Sequence, residues 1–321
     1  MDVFIFILLN NIVPIFAIVA LGFFISKKFD LNVHTLSKLV FYIFAPSFIF
    51  VYIYNAEIYL EMVKVIIIAV IILGLNMLLA AFVSKIKNYN VGMKNAFANS
   101  IMFYNSANIG IPLITLVFSS EPFIVNGQTP YLNTAIAAQL MVLMVQNLST
   151  NTIGFINAGR AHGRLKDSII KTMKMPIVYV IIFAFIMKLL PYDLTKFPLW
   201  HSVNYTANAL VAVNLIALGV QLSKTRFALD NKDVYLSCFF RLLLGPIMAI
   251  ALIYLFKVQG IIAQVIMISS SVPAAVNTAL IAVECDNYPD FASQVVMVST
   301  LLSSVTLVVV IYFARLLFPI T

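Results

Sequence analysis

Residues 104–113 read Tyr104-Asn105-Ser106-Ala107-Asn108-Ile109-Gly110-Ile111-Pro112-Leu113, and residues 269–278 read Ser269-Ser270-Ser271-Val272-Pro273-Ala274-Ala275-Val276-Asn277-Thr278. Each stretch interrupts an apolar run of about 20 residues, the length at which a helix crosses a hydrocarbon core about 30 Å thick. Proline removes a backbone donor and blocks the preceding turn, glycine loosens the helix, and Asn or Ser side chains bond the freed carbonyls. The two stretches therefore predict two helices that are broken inside a membrane.

The composition of the whole chain is that of a membrane protein. Hydrophobic residues make up 62% and charged residues 10% of the sequence, and the mean hydropathy is +1.03. Residues 65–79 are apolar on nearly every face, which excludes the alternating strands of a transmembrane barrel. We therefore expect an all-α membrane protein with about ten transmembrane helices. The predicted spans are 3–26, 34–54, 60–84, 95–118, 131–153, 176–190, 202–222, 234–256, 261–284 and 291–318.

The basic residues are concentrated on one side of these spans. Most of the 20 lysines and arginines follow odd-numbered spans, and by the positive-inside rule that side is cytoplasmic. We expect a multi-pass protein of the plasma membrane with both termini extracellular. The same rule accounts for the net charge of +8, so the expected partner is the lipid bilayer and not nucleic acid. These basic residues are Lys27, Lys28, Lys38, Lys85, Lys87, Lys94, Arg160, Arg164, Lys166, Lys171, Lys174, Lys224, Arg226 and Lys232.

The longest connection divides the chain into two halves with the same number of spans. Residues 1–153 hold five spans, residues 154–175 form a basic cytoplasmic loop, and residues 176–321 hold five spans of opposite orientation. The break falls in the fourth span of each half, which predicts a 5+5 inverted repeat with two broken, crossing helices. The N-terminal ends of the broken halves carry partial positive charge, which suits an anion. The alternative is an ordinary proline kink packed against neighbouring helices.

The polar residues of the two breaks are the candidate site. The twelve acidic residues lie in loops or near helix ends, which argues against a cation carrier built on membrane carboxylates. Arg241 lies inside a span, where it either attracts an anionic substrate or binds carbonyls of the broken helices. The candidate substrate-binding residues are Asn105, Ser106, Asn108, Gly110, Pro112, Pro273, Asn277, Thr278 and Arg241.

Catalysis is not expected from this sequence. Three histidines fall near the membrane interfaces, and the two cysteines, Cys238 and Cys285, fall in or at the end of different spans. This spacing assembles neither a metal centre nor a nucleophile triad. We expect no enzyme activity and no cofactor.

The interrupted segments resemble those of the auxin efflux carrier family, which includes plant PIN-formed auxin exporters and bacterial malate or malonate permease-like proteins. The resemblance covers essentially the whole chain. Its most specific part is residues 105–113, where Asn105 falls on the substrate-contacting Asn of the family. Other matching residues are Gly110-Ile111-Pro112-Leu113, Arg241, Gly245-Pro246, Pro273 and Glu284.

This resemblance implies a fold like that of bile-acid/sodium symporters and sodium/proton antiporters. It also implies a homodimer and an elevator-like movement of a transport domain against a scaffold made of the first, second, sixth and seventh spans. The plant exporters have a proline before the Asn, where this chain has Tyr104. The crossing in the first half is then expected to depend on Asn105 and Gly110, and the substrate stays open.

The leading hypothesis is a secondary transporter of a small organic anion, either auxin-like or malate/malonate-like. The alternative is a sodium- or proton-coupled carrier of a sterol-like or neutral solute, with Ser106, Asn108 and Thr278 as cation ligands. A channel or a transporter-like sensor is a third hypothesis, which transport kinetics would separate from a carrier.

Overall fold

The computed structural model describes residues 3–56, 61–159, 176–225 and 230–320. Within these ranges helices lie over all the predicted spans, and no strand is present beyond two isolated bridges. Most of the predicted basic loop, residues 160–175, lies outside the described residues. The helices are α1 (Val3–Lys28), α2 (Thr35–Asn55), α3 (Glu61–Ile86), α4 (Val91–Met102), α5 (Ser106–Phe118), α6 (Leu132–Ala158), α7 (Pro176–Lys188), α8 (Leu199–Lys224), α9 (Lys232–Leu255), α10 (Gly260–Ser269), α11 (Val276–Glu284) and α12 (Pro289–Leu317).

Seven of these helices are long and apolar enough to cross a membrane, counting only the described residues. They are α1, α2, α3, α6, α8, α9 and α12. The helices α5 and α10 are shorter and apolar, because each is one half of a helix that the breaks divide. The chain is therefore a multi-pass helical membrane protein.

Helix α6 continues to Ala158, beyond the predicted end at residue 153. Tertiary hydrogen bonds hold this last turn against α4. The side-chain amide of Asn99 donates to the Gly154 carbonyl at 2.9 Å, and the amide of Asn157 donates to the Asn99 side-chain oxygen at 2.9 Å. Hydropathy alone could not predict this extension, because the turn is stabilised by polar contacts between distant residues.

Prolines within the helices are each preceded by a turn of π-helix. A proline ring clashes with the carbonyl four residues earlier, and a wider i→i+5 turn relieves that clash without ending the helix. Pro14, Pro46, Pro112 and Pro246 each follow such a turn, the turns being Leu8–Ile12, Val40–Phe44, Ser106–Gly110 and Phe240–Leu244.

Helices α1 and α8 approach each other closely, because glycine lies on both sides of their contact. A methyl group at Gly22 would lie 2.3 Å from the Ile216 carbonyl oxygen, and one at Gly219 would lie 2.0 Å from the Val19 carbonyl oxygen. Helix α2 packs beside α8 and α7, with aromatic contacts such as the ring of Tyr54 at 5.3 Å from that of Trp200. These four helices form one packed group, and the broken helices lie against α6, α9 and α12.

Candidate functional site

The two breaks pair with each other as a short antiparallel bridge. The Asn105 N–H donates to the Pro273 carbonyl at 2.8 Å, and the Ala275 N–H donates to the Phe103 carbonyl at 3.0 Å. The Ala274 N–H between them donates to the Ser299 hydroxyl at 3.1 Å. Backbone groups that leave a helix inside an apolar interior must find such partners. Pairing therefore fixes residues 103–105 and 273–275 as one unit, which we call the crossover.

The Tyr104 N–H is the last backbone donor of the crossover, and it bonds to Gln146 of α6. The side-chain oxygen of Gln146 accepts this N–H at 3.2 Å. A proline at position 104 would have no N–H to give, so this contact depends on the residue in which the chain departs from the plant exporters. Gly110, the other residue expected to shape this crossing, donates its N–H to the Asn105 carbonyl at 2.9 Å. Gly110 makes room for Gln139, whose side-chain nitrogen would lie 2.4 Å from an added methyl group.

Arg241 of α9 lies fully buried at the C-terminal ends of two half-helices. One guanidinium nitrogen, Nη1, donates to the Ile101 carbonyl at 2.9 Å, and Nη2 donates to the Ser270 carbonyl. These carbonyls belong to the last turn of α4 and to the residue that ends α10, where helix dipoles are negative. Gly245 leaves the space for this contact, since a methyl group there would lie 2.4 Å from the Ser270 oxygen. Arg241 therefore binds the broken helices together, which is the second of the two roles expected from the sequence.

The N-terminal ends of the other two half-helices, α5 and α11, begin at the crossover on its cavity side. Asn105 caps α5, because its side-chain oxygen accepts the Asn108 N–H at 3.0 Å. The oxygens of Asn105 and Gln146 are thus both occupied as acceptors. Their amide nitrogens, Nδ2 of Asn105 and Nε2 of Gln146, are buried and make no hydrogen bond of normal geometry with the described residues, although Nε2 of Gln146 lies near the Tyr104 hydroxyl. Two neutral N–H donors therefore lie unpaired beside two positive helix ends.

A cavity of about 390 Å³ lies between the crossover and helices α2, α6 and α8. Four predicted residues line it: Asn105, Ser106, Asn108 and Asn277. Its polar lining also includes Ser37, Lys38, Tyr42, Gln146, Asn147, Thr150, Asn214 and Gln221, and its apolar lining includes Ala45, Ile49, Ile111, Leu143, Leu210 and Val276.

The other predicted residues do not line the cavity but belong to the crossover and to the helices next to it. Pro273 contributes the crossover carbonyl, and Thr278 donates its hydroxyl to the Ala275 carbonyl at 2.6 Å. Pro112 is buried in α5 just after its π-helical first turn, and neither it nor Gly110 or Arg241 is among the described lining residues. The cavity is therefore formed by the asparagines of the breaks and by polar residues of three neighbouring helices.

Sequence reasoning missed Gln146 and Asn214, which lie 2% exposed or less at the cavity. A signal for both was present. Gln139 and Gln146 are seven residues apart on α6, and Asn214 and Gln221 are seven apart on α8. This spacing places each pair on one face of its helix, and buried amides on one face of an apolar span indicate a polar cavity.

Comparison with known proteins agrees with this architecture. An "Uncharacterized transporter" of Methanothermobacter thermautotrophicus is 23% identical over 306 residues, which cover 93% of this chain and 95% of that protein. The sequence profile of a family described as "Membrane transport protein" matches residues 7–311. The match confirms the resemblance to the auxin efflux carriers. The chain therefore belongs to this membrane transport protein family and is a membrane transporter.

Proposed function

We propose that the protein is a secondary transporter of a small organic anion, which it binds through a carboxylate at the crossover. The observation that carries this proposal is the pair of unpaired buried donors, Nδ2 of Asn105 and Nε2 of Gln146. A buried donor without an acceptor costs about 1–3 kcal/mol. A carboxylate has two oxygens that accept N–H donors without supplying any in return. Its binding would therefore remove both penalties.

The electrostatics of the cavity support an anion over a cation. Helices α5 and α11 begin at the cavity, and the N-terminal end of a helix carries partial positive charge. The opposite, negative ends of α4 and α10 are bound by the guanidinium of Arg241, which is not among the described residues that line the cavity. No Asp or Glu is among the described residues that line the cavity.

The size of the cavity and its apolar wall support a carboxylate with an apolar body. Ligand sites of 300–1,000 Å³ hold organic molecules of moderate size, and this cavity has a volume of about 390 Å³. Beyond the crossover, Ile49, Ile111, Leu143 and Leu210 form an apolar wall. An auxin-like acid would place its ring there, whereas a malate- or malonate-like acid would leave this wall without an apolar contact.

Transport itself is proposed to follow an elevator-type alternating-access mechanism. The scaffold would be α1, α2, α7 and α8, whose close packing through Gly22 and Gly219 supports a rigid unit. The remaining helices would carry the crossover and its ligand. The two breaks at equivalent positions support a 5+5 inverted repeat of residues 1–153 and 176–321, as in bile-acid/sodium symporters and sodium/proton antiporters. A homodimer through the scaffold belongs to the same proposal.

The proposed location is the plasma membrane, with the basic helix ends in the cytoplasm and both termini outside. The end of the cavity nearest Lys38 and Gln221 is the end where Lys224 of α8 donates to the Leu31 carbonyl at 2.8 Å. In this orientation the cavity extends towards the cytoplasm. A negative interior potential then favours export of a monoanion by about 2.3 kcal/mol per 100 mV.

A sodium- or proton-coupled carrier of a sterol-like or neutral solute is the second candidate. The observation in its favour is Gln139, whose side-chain oxygen is buried without a partner while its nitrogen donates to the Ser106 carbonyl at 2.9 Å. An orphaned oxygen beside a backbone carbonyl is the kind of ligand that a cation accepts. Thr278 is another cation ligand proposed for this carrier. Its hydroxyl donates to the Ala275 carbonyl.

Ligand-induced thermal stabilisation of the purified protein tests the choice between these functions. The ligands would be malate, malonate, citrate and indole-3-acetate, with indole-3-acetamide as the uncharged control. Ligand at 100 Kd contributes about 2.7 kcal/mol of stability, which a thermal shift detects. Stabilisation by an acid and not by the amide supports the anion transporter. A shift from sodium or a neutral solute, with none from any acid, would replace it with the second candidate. Saturable flux in liposomes would then separate a carrier from a channel.

A further inference from the structure

Lys38 is the one charged side chain among the described residues that line the cavity. It lies near the start of α2 and is exposed. Within the described part of the chain it makes no hydrogen bond or ion pair. Two lysines outside the cavity at this end of the protein are paired, Lys224 with Asp30 at 3.6 Å and Lys87 with Asp233 at 3.3 Å. Lys38 therefore presents an uncompensated positive charge to the cavity.

The charge of Lys38 is separated from the crossover along the cavity. Gln221 and Asn214 line the cavity from α8, and Lys38 and Ala45 line it from α2. Seven residues of helix span about 10 Å, and both pairs are seven residues apart. The C-terminal end of α8 lies beside the N-terminal end of α2, because Lys224 of α8 contacts Leu31 just before α2. Lys38 and Gln221 thus form the mouth of the cavity, about 10 Å from the level of the central amides.

The separation of charge from binding groups has a physical rationale. A fixed cation at the centre of the membrane would have a high desolvation penalty and would bind an anion too tightly for release. Neutral amides avoid both problems but attract an anion only at short range. A solvated cation at the mouth acts at long range and raises the local concentration of anions.

We propose that Lys38 is a specificity-determining residue of this transporter: it selects organic anions at the mouth, and the neutral amides at the crossover then bind the carboxylate. The proposal deepens the proposed function and depends on it for the identity of the cargo. Cations of similar size are disfavoured at the same step. Uncharged solutes are unaffected by Lys38.

The potential at the mouth can be measured without knowing the substrate. In a protein with Cys238→Ala and Cys285→Ser, a Gln221→Cys substitution places a reporter thiol in the lining. Its reaction rates with the anionic reagent 2-sulfonatoethyl methanethiosulfonate and the cationic reagent 2-(trimethylammonium)ethyl methanethiosulfonate give a charge-selectivity ratio. We expect Lys38→Gln to lower the anion-to-cation ratio about tenfold at low ionic strength and Lys38→Glu to lower it further. At 1 M salt these differences should nearly vanish, because the Debye length is about 3 Å.

Two matched variants make this result specific. Lys38→Arg keeps the charge and should keep the ratio. Lys85→Gln removes one charge from the end of α3, which faces the same side of the protein but does not line the cavity, and it should change the ratio less than about twofold. An equal ratio in the Lys38→Gln and Lys85→Gln proteins would overturn the proposal.

Transport of indole-3-acetate and malonate in liposomes provides the second readout. Lys38→Gln should raise KM at low ionic strength about threefold for a monoanion and leave kcat unchanged, because the effect is on encounter. A raised KM together with a lowered reagent ratio supports the proposal. In another outcome, neither the wild-type protein nor Lys38→Arg binds either acid while the reagent ratio still depends on Lys38. That result would overturn the anion-transport function but would leave the electrostatic effect of Lys38 at the mouth intact. If the acids bind and neither the reagent ratio nor KM depends on Lys38, only the role proposed for Lys38 is overturned.

Discussion

The side-chain oxygen of Gln146 accepts the backbone N–H of Tyr104 at 3.2 Å, and this contact determines which way the Gln146 amide faces. An N–H cannot pair with the amide nitrogen, so Nε2 is left as a donor beside the cavity. Asn105 is oriented in the same way by its cap on Asn108. The backbone of the crossover thus sets the orientation of both donors that we assign to the substrate.

Replacement of Gln146 by Glu should abolish anion binding while the fold is retained. A carboxylate still accepts the Tyr104 N–H, but it has no donor and repels a second carboxylate. We expect the Kd of a bound acid to rise at least about 100-fold, which corresponds to about 2.7 kcal/mol. Isothermal titration with the acid checks this. Gln294→Glu on α12 is the matched control, because Gln294 is not among the residues that line the cavity. Equal affinity in the two variants would show that Gln146 does not bind the acid.

Replacement of Asn105 by Ala should also abolish binding, at a small loss of stability. Loss of the cap on α5 costs about 1 kcal/mol. The matched control is Asn90→Ala, since Asn90 caps the N-terminal end of α4 by accepting the Met93 N–H at 2.8 Å, at the opposite end of that helix from the crossover. Both variants should lose a similar amount in thermal unfolding, and only Asn105→Ala should lose ligand stabilisation. Unchanged transport by Asn105→Ala would contradict the role of Asn105.

The breaks could be predicted from the sequence, and the contacts that complete the site could not. Proline, glycine and asparagine act on their own turn, so Pro112 and Pro273 mark the interruptions without any tertiary knowledge. Gln146 acts through the Tyr104 N–H, 42 residues away in sequence, and Arg241 acts through the carbonyls of Ile101 and Ser270, 140 and 29 residues away. Their partners exist only after the two breaks have paired. The sequence therefore indicates where the helices end, and the packed structure shows which side chains replace the missing helix hydrogen bonds.

Arg241→Met should destabilise the protein by about 3 kcal/mol or more. The change leaves the carbonyls of Ile101 and Ser270 buried without a donor and removes the cation from two negative helix ends. Arg241→Lys should lose less, because an ammonium keeps the charge but does not span both carbonyls as a guanidinium does. Thermal unfolding of the purified variants gives the order. If Arg241→Met had wild-type stability but did not bind the acid, Arg241 would be a substrate ligand after all.

Gly22→Val should weaken the packing of α1 on α8 by several kcal/mol. Its Cβ would lie within 2.3 Å of a backbone oxygen, which cannot move away as a flexible side chain can. Gly74→Ala on α3 is the control, because nothing lies within 4 Å of the added methyl group. Alanine favours the helix over glycine by about 1 kcal/mol, so this variant should be as stable as the wild type or more stable. Wild-type stability in Gly22→Val would mean that these helices are not one rigid unit.

Binding of a strong organic acid should be independent of pH between about 5 and 9. The described lining contains no Asp, Glu or His, and the donors assigned to the carboxylate are amides, which do not titrate in this range. Affinity should therefore fall only as the ligand itself becomes protonated, near pH 4–5 for a typical carboxylic acid. Titration of two acids that differ in pKa checks this, because each affinity should follow its own ligand. A shared decline at one pH for both acids would instead reveal a titrating group of the protein, as expected of a proton-coupled carrier.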